Sequence, residues 1–405
     1  MSRLTRGLRA AALAASVLAV AVVAPSRGAA QATTARPNAP AAAAPNASGA
    51  RWAPARARAW HDSVGWVVGS NFLPSTAINQ LEMWQAATWD PATIDRELGW
   101  AQSLGMNTMR VYLHDQLWVQ DSTGFLRRMD EFLTIANRRG IRPMFVLFDS
   151  CWDPFPRTGR QRDPVPHLHN SGWVQSPGRD VLADTSRHDA LRPYVQGVVG
   201  RFANDPRVLA WDLFNEPDNI NRPAYFAFEP RNKGDLALAL LRKELQWIRA
   251  VRPTQPLTMA PWHGDWSEQG LTQLDRFMFD SSDVISFHSY DDLATTRRKV
   301  ETLKRYGRPM IASEYMSRGT GSLFGVVTPY LKQEGVGAIN WGLVDGKSQT
   351  KYPWDSWTRE YTAEPGLWFH DIFRRDGTPY DQGEVLILRA LTGAGARGSA
   401  SPRTR

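Results

Sequence analysis

Short apolar runs alternate with amphipathic segments along most of the chain, from Gly65 to Leu391. The runs predict strands at 65–71, 107–113, 143–149, 207–214, 256–261, 284–289, 309–313 and 337–342. The segments between and after them have apolar residues at helical spacing and predict helices near 91–104, 124–139, 187–203, 234–251, 271–279, 292–306, 322–334 and 384–391. Met144–Phe148 is apolar throughout, which is typical of a parallel strand covered on both faces.

Residues that commonly start or end helices stand at the predicted helix boundaries. Asp90 followed by Pro91 predicts the start of a helix. Helix ends are predicted at Gly105, Gly140, Gly307 and Gly335. Eight strand–helix pairs over about 330 residues predict an α/β fold, a single-domain (β/α)8 TIM barrel. A doubly wound open sheet is the alternative, but no Gly-rich phosphate loop follows the first strand.

The two ends of the chain differ from this pattern. Arg3, Arg6 and Arg9 precede an apolar stretch at 10–24, and Ala30-Gln31-Ala32 offers a small-x-small cleavage site. These features predict a signal peptide over 1–32 and a secreted or periplasmic protein, with an uncleaved anchor as the alternative. Composition predicts a disordered Ala/Pro-rich linker at 33–56 and a disordered tail at 392–405, which leaves the barrel domain at 57–391.

The positive charge of the chain belongs to these ends. The total is +8, but residues 1–60 contain eight Arg, residues 391–405 contain three Arg, and neither segment contains an acidic residue. Residues 61–390 therefore carry a net charge of −3, which argues against nucleic acid as a partner. We also expect no stable membrane insertion, because the apolar stretch at 10–24 is short for a span. The single Cys151 excludes an intrachain disulfide.

Two predicted strands end in a glutamate, although a buried carboxylate is costly unless function retains it. Glu216 follows Asn215 at the end of the fourth strand and Glu314 ends the seventh, 98 residues later. In a barrel these strands lie across from each other, and catalytic groups sit at the carboxyl ends of the strands. Two carboxyl groups about 5–5.5 Å apart are the equipment of a retaining glycosidase. The seventeen Trp include flat indoles suited to stacking on sugar rings.

Asn215-Glu216-Pro217 and Glu314 together resemble the retaining glycoside hydrolases of clan A, most closely glycoside hydrolase family 5, the cellulase and mannanase family. The resemblance covers residues 61–390, and Arg110, His288, Tyr290 and Trp341 match further family positions. It implies that Glu216 is the acid/base and Glu314 the nucleophile, without a cofactor or metal.

Further residues are expected to support this pair. Asn215 can bond the sugar 2-hydroxyl, Tyr290 and Arg110 can hold Glu314 ionised, His288 can bind a sugar hydroxyl, and Trp341 can lie under the sugar. From their places at strand ends we also predict substrate contacts for His114 and Trp262. The long connections at 150–186 and 346–382 are expected to form the cleft walls.

The substrate is less closely determined. Many family 5 cellulases have a histidine at the end of strand three, where this chain has Phe148-Asp149-Ser150-Cys151-Trp152; His114 could fill that space. We expect a monomer that hydrolyses a β-linked polysaccharide or oligosaccharide, endo-acting on β-1,4-mannan or β-glucan, with exo action as the alternative. A non-catalytic sugar-binding barrel would lack one glutamate. A metal hydrolase would use His167 and His169, but these lie in a Pro-rich loop rather than on a strand.

Overall fold

Eight parallel strands form a barrel in the computed structural model, which describes residues 49–394. The strands are β1 (Val68–Asn71), β2 (Thr108–Tyr112), β3 (Met144–Asp149), β4 (Ala210–Asn215), β5 (Leu257–Ala260), β6 (Ile285–Ser289), β7 (Met310–Tyr315) and β8 (Gly337–Trp341). They pair in the order β5-β4-β3-β2-β1-β8-β7-β6. The predicted signal peptide, residues 33–48 of the predicted linker and the tail from residue 395 lie outside the described residues.

The barrel closes between β5 and β6 through a few hydrogen bonds rather than a continuous ladder. Leu257 O accepts the Asp283 N–H at 2.8 Å, and Pro261 O accepts the His288 N–H at 3.0 Å. Between them, the Thr258 hydroxyl accepts the Ser286 N–H at 3.1 Å. The predicted (β/α)8 barrel is therefore confirmed.

Helices follow the strands as predicted. They are α1 (Pro54–Val64), α2 (Gln80–Trp84), α3 (Pro91–Ser103), α4 (Asp115–Arg138), α5 (Arg179–Leu182), α6 (Arg192–Arg201), α7 (Lys233–Val251), α8 (Gln273–Ser281), α9 (Leu293–Leu303), α10 (Val327–Gln333) and α11 (Gln382–Thr392). Asp90 caps α3 by accepting the Thr93 N–H at 3.0 Å. The main hydrophobic core packs these helices against the outer face of the sheet.

One helix extends well beyond its prediction. The sequence predicts a helix from residue 124, whereas α4 begins at Asp115 and contains a kink at Asp121, where φ is −163° and ψ is 73°. The Asp121 side chain accepts the Gly124 N–H at 2.8 Å, as a helix cap does. The predicted start at 124 therefore corresponds to the second of two merged helical segments.

The predicted linker ends earlier than its composition indicates. Helix α1 begins at Pro54, inside the segment 33–56, and Trp52 is only 2% exposed. Trp52 and Trp60 join a hydrophobic cluster with Val67 and Leu209, which directly precede β1 and β4, and with Ile339 in β8. The boundary at residue 57 is corrected, because Trp52 supplies apolar surface that the surrounding Ala and Arg residues do not.

No helix within residues 49–394 has the length and apolar character needed to cross a bilayer.

The long connections after β3 and β8 bind each other. The Asn170 N–H donates to Ser348 O at 2.9 Å, and the Trp357 indole N–H donates to His169 O at 2.9 Å. The rings of Trp152 and Trp357 stack at 5.4 Å with an interplanar angle of 12°. These contacts fix both loops at the carboxyl ends of the strands.

Replacing the buried indole of Trp52 tests whether residues 49–56 belong to the folded domain. Trp52→Ala should lower the free energy of unfolding by about 3–5 kcal/mol, because it leaves a cavity in the cluster. Urea unfolding followed by circular dichroism measures the change. Val119→Ala is the control: its side chain is 85% exposed, so a change within about 0.5 kcal/mol is expected. An equally small change for Trp52→Ala would contradict the packing described here.

Candidate active site

The regular pairing of the strands breaks where the candidate catalytic residues stand. Register shifts occur within Asp212–Asn215, Phe287–His288 and Ala312–Tyr315. Bulges of this kind re-aim side chains and are common beside active sites. They lie close to Glu216, His288 and Glu314, which all reach the carboxyl end of the barrel.

Glu216 has a strained backbone. Its φ is +44°, in the left-handed region that residues other than glycine rarely adopt. Its N–H is held by Ala260 O at 3.0 Å, so β5 fixes the turn that follows β4. Strain held in this way is typical of functional positions, where the direction of the side chain matters more than the local energy.

The two glutamates face one another across His288. One oxygen of Glu216, one oxygen of Glu314 and a ring nitrogen of His288 all lie within 4.8 Å of one another. His288 Nδ1 is 2.7 Å from Glu216 Oε1 and 3.6 Å from Glu314 Oε2. The two glutamates therefore have oxygens no more than 4.8 Å apart. That distance is close to the spacing of about 5–5.5 Å in a retaining carboxylate pair and is below the spacing that leaves room for a water in inverting enzymes.

Glu314 receives three hydrogen bonds that favour its ionised form. Arg110 Nη1 and the Tyr112 hydroxyl each donate to Oε1 at 2.7 Å, and the Tyr290 hydroxyl donates to Oε2 at 2.7 Å. Glu216 has no cationic partner: Asn219 Nδ2 donates to its Oε2 at 2.6 Å, and the Cys151 thiol lies 3.2 Å from the same oxygen. The two carboxyl groups therefore have different environments.

Burial raises the pKa of Glu216 and also that of Glu314. Burial lowers the pKa of His288 to about 3, so the ring is neutral at neutral pH and adds no positive charge between the glutamates. Arg110 is then the cation closest to the pair, and it contacts Glu314. Of the two carboxyl groups, Glu216 is consequently the one that retains a proton more readily.

Arg110 also fixes Asn215. The guanidinium donates to Asp212 Oδ2 at 2.7 Å and to Asn215 Oδ1 at 2.7 Å. Asn215 Nδ2 donates to Asp149 Oδ1 at 2.9 Å, and burial raises the pKa of Asp149 to about 6. The amide oxygen of Asn215 accepts from Arg110 and its nitrogen donates to Asp149, so the side chain has one orientation at the edge of the cavity.

A cavity of about 500 Å³ opens in front of the two glutamates. Its walls are largely aromatic and include Trp152, Trp262, Tyr290, Trp341 and Trp354. Trp152 comes from the connection after β3 and Trp354 from the connection after β8, which confirms the prediction that these loops form the cleft walls. An open cavity of this size, lined by flat rings and a few polar groups, fits a short stretch of sugar rings.

Beside Glu216, one carboxylate orients two rings. Trp262 Nε1 donates to Asp218 Oδ1 at 2.9 Å, and His263 Nε2 lies 3.0 Å from Asp218 Oδ2. The Asp218 hydrogen bond raises the pKa of His263. All three residues line the cavity, and they lie on the connections after β4 and β5.

The structure brings most of the predicted site residues together. Glu216, Glu314, Asn215, Trp262, Tyr290 and Trp341 line the cavity. Three other predicted site residues lie behind the cavity wall. Arg110 is fully buried behind Glu314, and His288 is 1% exposed and hydrogen-bonded to Glu216. His114 is also fully buried, and its Nδ1 accepts the Gln116 N–H at the start of α4. None of these three forms part of the cavity wall, and it is Asp149 and Cys151 that occupy the end of β3.

Several contributors were missed from the sequence. Tyr112 stands two residues after Arg110 in β2, so its side chain lies on the same face of the strand, and this spacing is a signal that points to it. Cys151, Asn219 and Asp218 lie in connections whose conformation no local pattern predicts. The two histidines considered for a metal site bond separate backbone carbonyls: His167 Nδ1 lies 2.7 Å from Tyr361 O, and His169 Nδ1 lies 2.8 Å from Tyr352 O.

Comparison with known proteins agrees with this geometry. The model of the family described as "Cellulase (glycosyl hydrolase family 5)" matches residues 77–347, more than half of the chain. A probable mannan endo-1,4-beta-mannosidase F from Emericella nidulans is 24% identical over 153 residues, which span 33% of each chain. A probable mannan endo-1,4-beta-mannosidase A-1 from Aspergillus terreus is 28% identical over 92 residues, 23% of this chain and 21% of the relative. The chain thus spans a third or less of these two relatives.

Solved structures share the fold over a larger part of the chain. A GH5_18 protein from Streptomyces cattleya in complex with Manb1-4GlcNAc superposes with a TM-score of 0.56 at 14% identity, covering 84% of this chain and 83% of that one. An endo-1,4-beta-mannanase from Rhizomucor miehei superposes with a TM-score of 0.53 at 13% identity, covering 82% and 95%. At these identities the matches show the barrel fold alone.

The hydrogen bond between Asp218 and His263 can be tested without a substrate. Asp218→Asn should lower the pKa of His263, because it removes the carboxylate that stabilises the imidazolium. Proton NMR of the imidazole signals across a pH titration measures the change, with His263→Gln identifying the resonance. An unchanged His263 titration would show that the contact is absent in solution.

Proposed function

We propose that this chain, which belongs to glycoside hydrolase family 5, is a retaining β-glycosidase that cleaves β-1,4-linked mannan internally. The observation that carries the proposal is the pair of glutamates at one cavity, with oxygens within 4.8 Å of each other. The names of the fungal relatives favour mannan as the substrate and endo action as the mode. A non-catalytic binding barrel is not favoured, because both glutamates are present and face the cavity.

The reaction follows from the different environments of the two carboxyl groups. Glu314, held ionised by Arg110 and two tyrosine hydroxyls, attacks the anomeric carbon and forms a glycosyl ester. Glu216 gives its proton to the departing glycosidic oxygen, so the leaving chain departs as an alcohol. In the second step Glu216, now a carboxylate, takes a proton from water as the water attacks the ester. Glu314 is released, and the configuration of the sugar is retained.

The sugar that leaves must lie on the side of Glu216, because this residue protonates the oxygen that the sugar carries away. Trp262 and His263, oriented by Asp218, line that side of the cavity. The ring under attack lies against Trp341 and beside Asn215. Asn215 has its amide fixed by Arg110 and Asp149, so it is pre-organised to bond the 2-hydroxyl as the transition state forms.

One observation favours exo action as the second candidate. The connections after β3 and β8 are bonded to each other beside the cavity, through Asn170 and Ser348 and through Trp357 and His169. Joined loops of this kind can close one end of a cleft. Endo action lowers the viscosity of a mannan solution early in the reaction, whereas exo action releases single sugars with little loss of viscosity, so the two modes are separated by one time course.

We also propose that the protein acts as an exported monomer without a cofactor. The Arg-rich and then apolar pattern of residues 1–32 supports export, and the monomer is supported by the cavity, whose two glutamates both come from one chain. Amino-terminal sequencing of the protein recovered from an exporting host and its mass in solution test these two points. A mature protein that still begins at Met1 would contradict cleavage.

The identity of the nucleophile gives the most direct test. A 2-fluoro mannoside with a good leaving group should inactivate the enzyme, and peptide mapping should place the added mass on Glu314. Glu314→Gln should fold normally and lower kcat by about 10⁴-fold or more. Glu364→Gln, an exposed carboxylate of the connection after β8, is the matched control. An adduct elsewhere, or product of inverted configuration, would overturn the mechanism.

The thiol of Cys151 provides a test of the acid. Its contact with Glu216 Oε2 favours the carboxylate and so lowers the pKa of Glu216 against the effect of burial. Cys151→Ala should therefore raise that pKa, and the alkaline limb of kcat/KM, which follows loss of the Glu216 proton, should move to higher pH. Cys151→Ser keeps a donor and should leave the limb nearer its original position. Movement to lower pH in Cys151→Ala would contradict this role.

A further inference from the structure

Most apolar side chains in residues 49–394 are covered, but three phenylalanines near the cavity are not. Phe155 is 40% exposed, Phe226 48% and Phe228 51%. Phe155 and Phe228 touch edge to face, with centroids 5.7 Å apart. We call these three residues the aromatic ledge. They come from the connections after β3 and β4, so two loops contribute to one exposed patch.

The ledge is continuous with the cavity. The guanidinium of Arg222 lies 3.8 Å above the ring of Phe226, and Arg222 lines the cavity. Tyr225, the residue before Phe226, packs its ring against Trp357 at 5.6 Å, and Trp357 stacks on the cavity residue Trp152. A ligand that leaves the cavity past Arg222 therefore meets the ledge next.

The ledge is held in place from below by buried polar groups. Phe226–Phe228 form one turn of 3₁₀ helix between Asn221 and Glu229. Asn221 Nδ2 donates to Glu229 Oε1 at 2.5 Å, and Lys233 Nζ pairs with Glu229 Oε2 at 2.9 Å, with Lys233 only 1% exposed. A buried ion pair of this kind is costly to form and does not by itself explain stability. Here it fixes the backbone of the turn that carries two of the exposed rings, Phe226 and Phe228.

We propose that the aromatic ledge binds the part of the glycan chain that extends beyond the cavity, an inference that rests on the proposed function. A cavity of about 500 Å³ holds only a short stretch of a polymer, so the rest of the chain must lie on the surface. The C–H face of a pyranose is apolar, and an exposed aromatic ring can cover it while the hydroxyls stay in water. Contiguous exposed apolar groups beside a cleft are typical of binding surfaces.

The experiment compares long and short substrates. The double variant Phe226→Ala with Phe228→Ala should lower kcat/KM on soluble β-1,4-mannan at least five-fold, while kcat/KM on mannotriose should change less than two-fold. The matched control is Val119→Ala with Leu386→Ala, two exposed apolar side chains on α4 and α11, for which neither substrate should show a change. Equal losses on both substrates, or no loss on the polymer, would overturn the proposal.

A binding measurement separates this proposal from the proposed function. In a Glu314→Gln background, the protein should be retarded during electrophoresis through a gel that contains β-1,4-mannan, and the phenylalanine double variant should lose this retardation. Retardation that survives the double variant would exclude the ledge even if the enzyme is active. If no β-linked glycan is hydrolysed, the proposed function fails, whereas the retardation result still decides the ledge. A double variant that only changes the protein from dimer to monomer would show that the ledge binds a second copy instead.

Discussion

The guanidinium of Arg110 is the interaction on which the site depends. It is fully buried inside the barrel and bonded to Asp212, Asn215 and Glu314. A charge in this place is tolerable only because its donors are matched by carboxylate and amide oxygens. One cation then serves two carboxylates, and none is left for Glu216. The shortage of positive charge means that Glu216, the third carboxyl group of this cluster, keeps its proton more readily than Glu314 does.

The barrel supplies rigidity at the places where the local backbone is least regular. Register shifts lie beside Asn215, His288 and Glu314, and Glu216 has a left-handed backbone. Each would be unfavourable in isolation, and each is held by pairing to neighbouring strands on both sides. The loops behave differently, since they carry the aromatic walls and gain their stability from bonds to one another. The glutamates are therefore positioned by the strands, and most of the aromatic wall of the cavity is positioned by the loops.

The fold was predictable because its signals are local. Each of the eight apolar runs contains a strand, because buried parallel strands are nearly continuous in apolar residues and the runs are short and alternate with segments of helical spacing. The amino-terminal boundary was less predictable. Ala, Arg and Pro around Trp52 carry no periodicity, and the residues that Trp52 packs against, such as Ile339, are distant in the sequence. Burial of this kind depends on tertiary contacts and cannot be derived from a window of neighbouring residues.

The sequence predicts which side chains point toward the carboxyl end of the barrel, but it does not predict how deeply each one is buried. Strand alternation and strand ends indicate which side chains turn toward the mouth of the barrel, and this was enough for Glu216 and Glu314. It does not indicate how far each side chain lies below the surface. Arg110 and His288 belong to the same cluster as the two glutamates, but both side chains lie behind the carboxylates and do not line the cavity. How deeply a strand-end side chain is buried depends on the residues that cover it. Those residues come from the connecting loops, whose conformation is determined only when the loops contact each other.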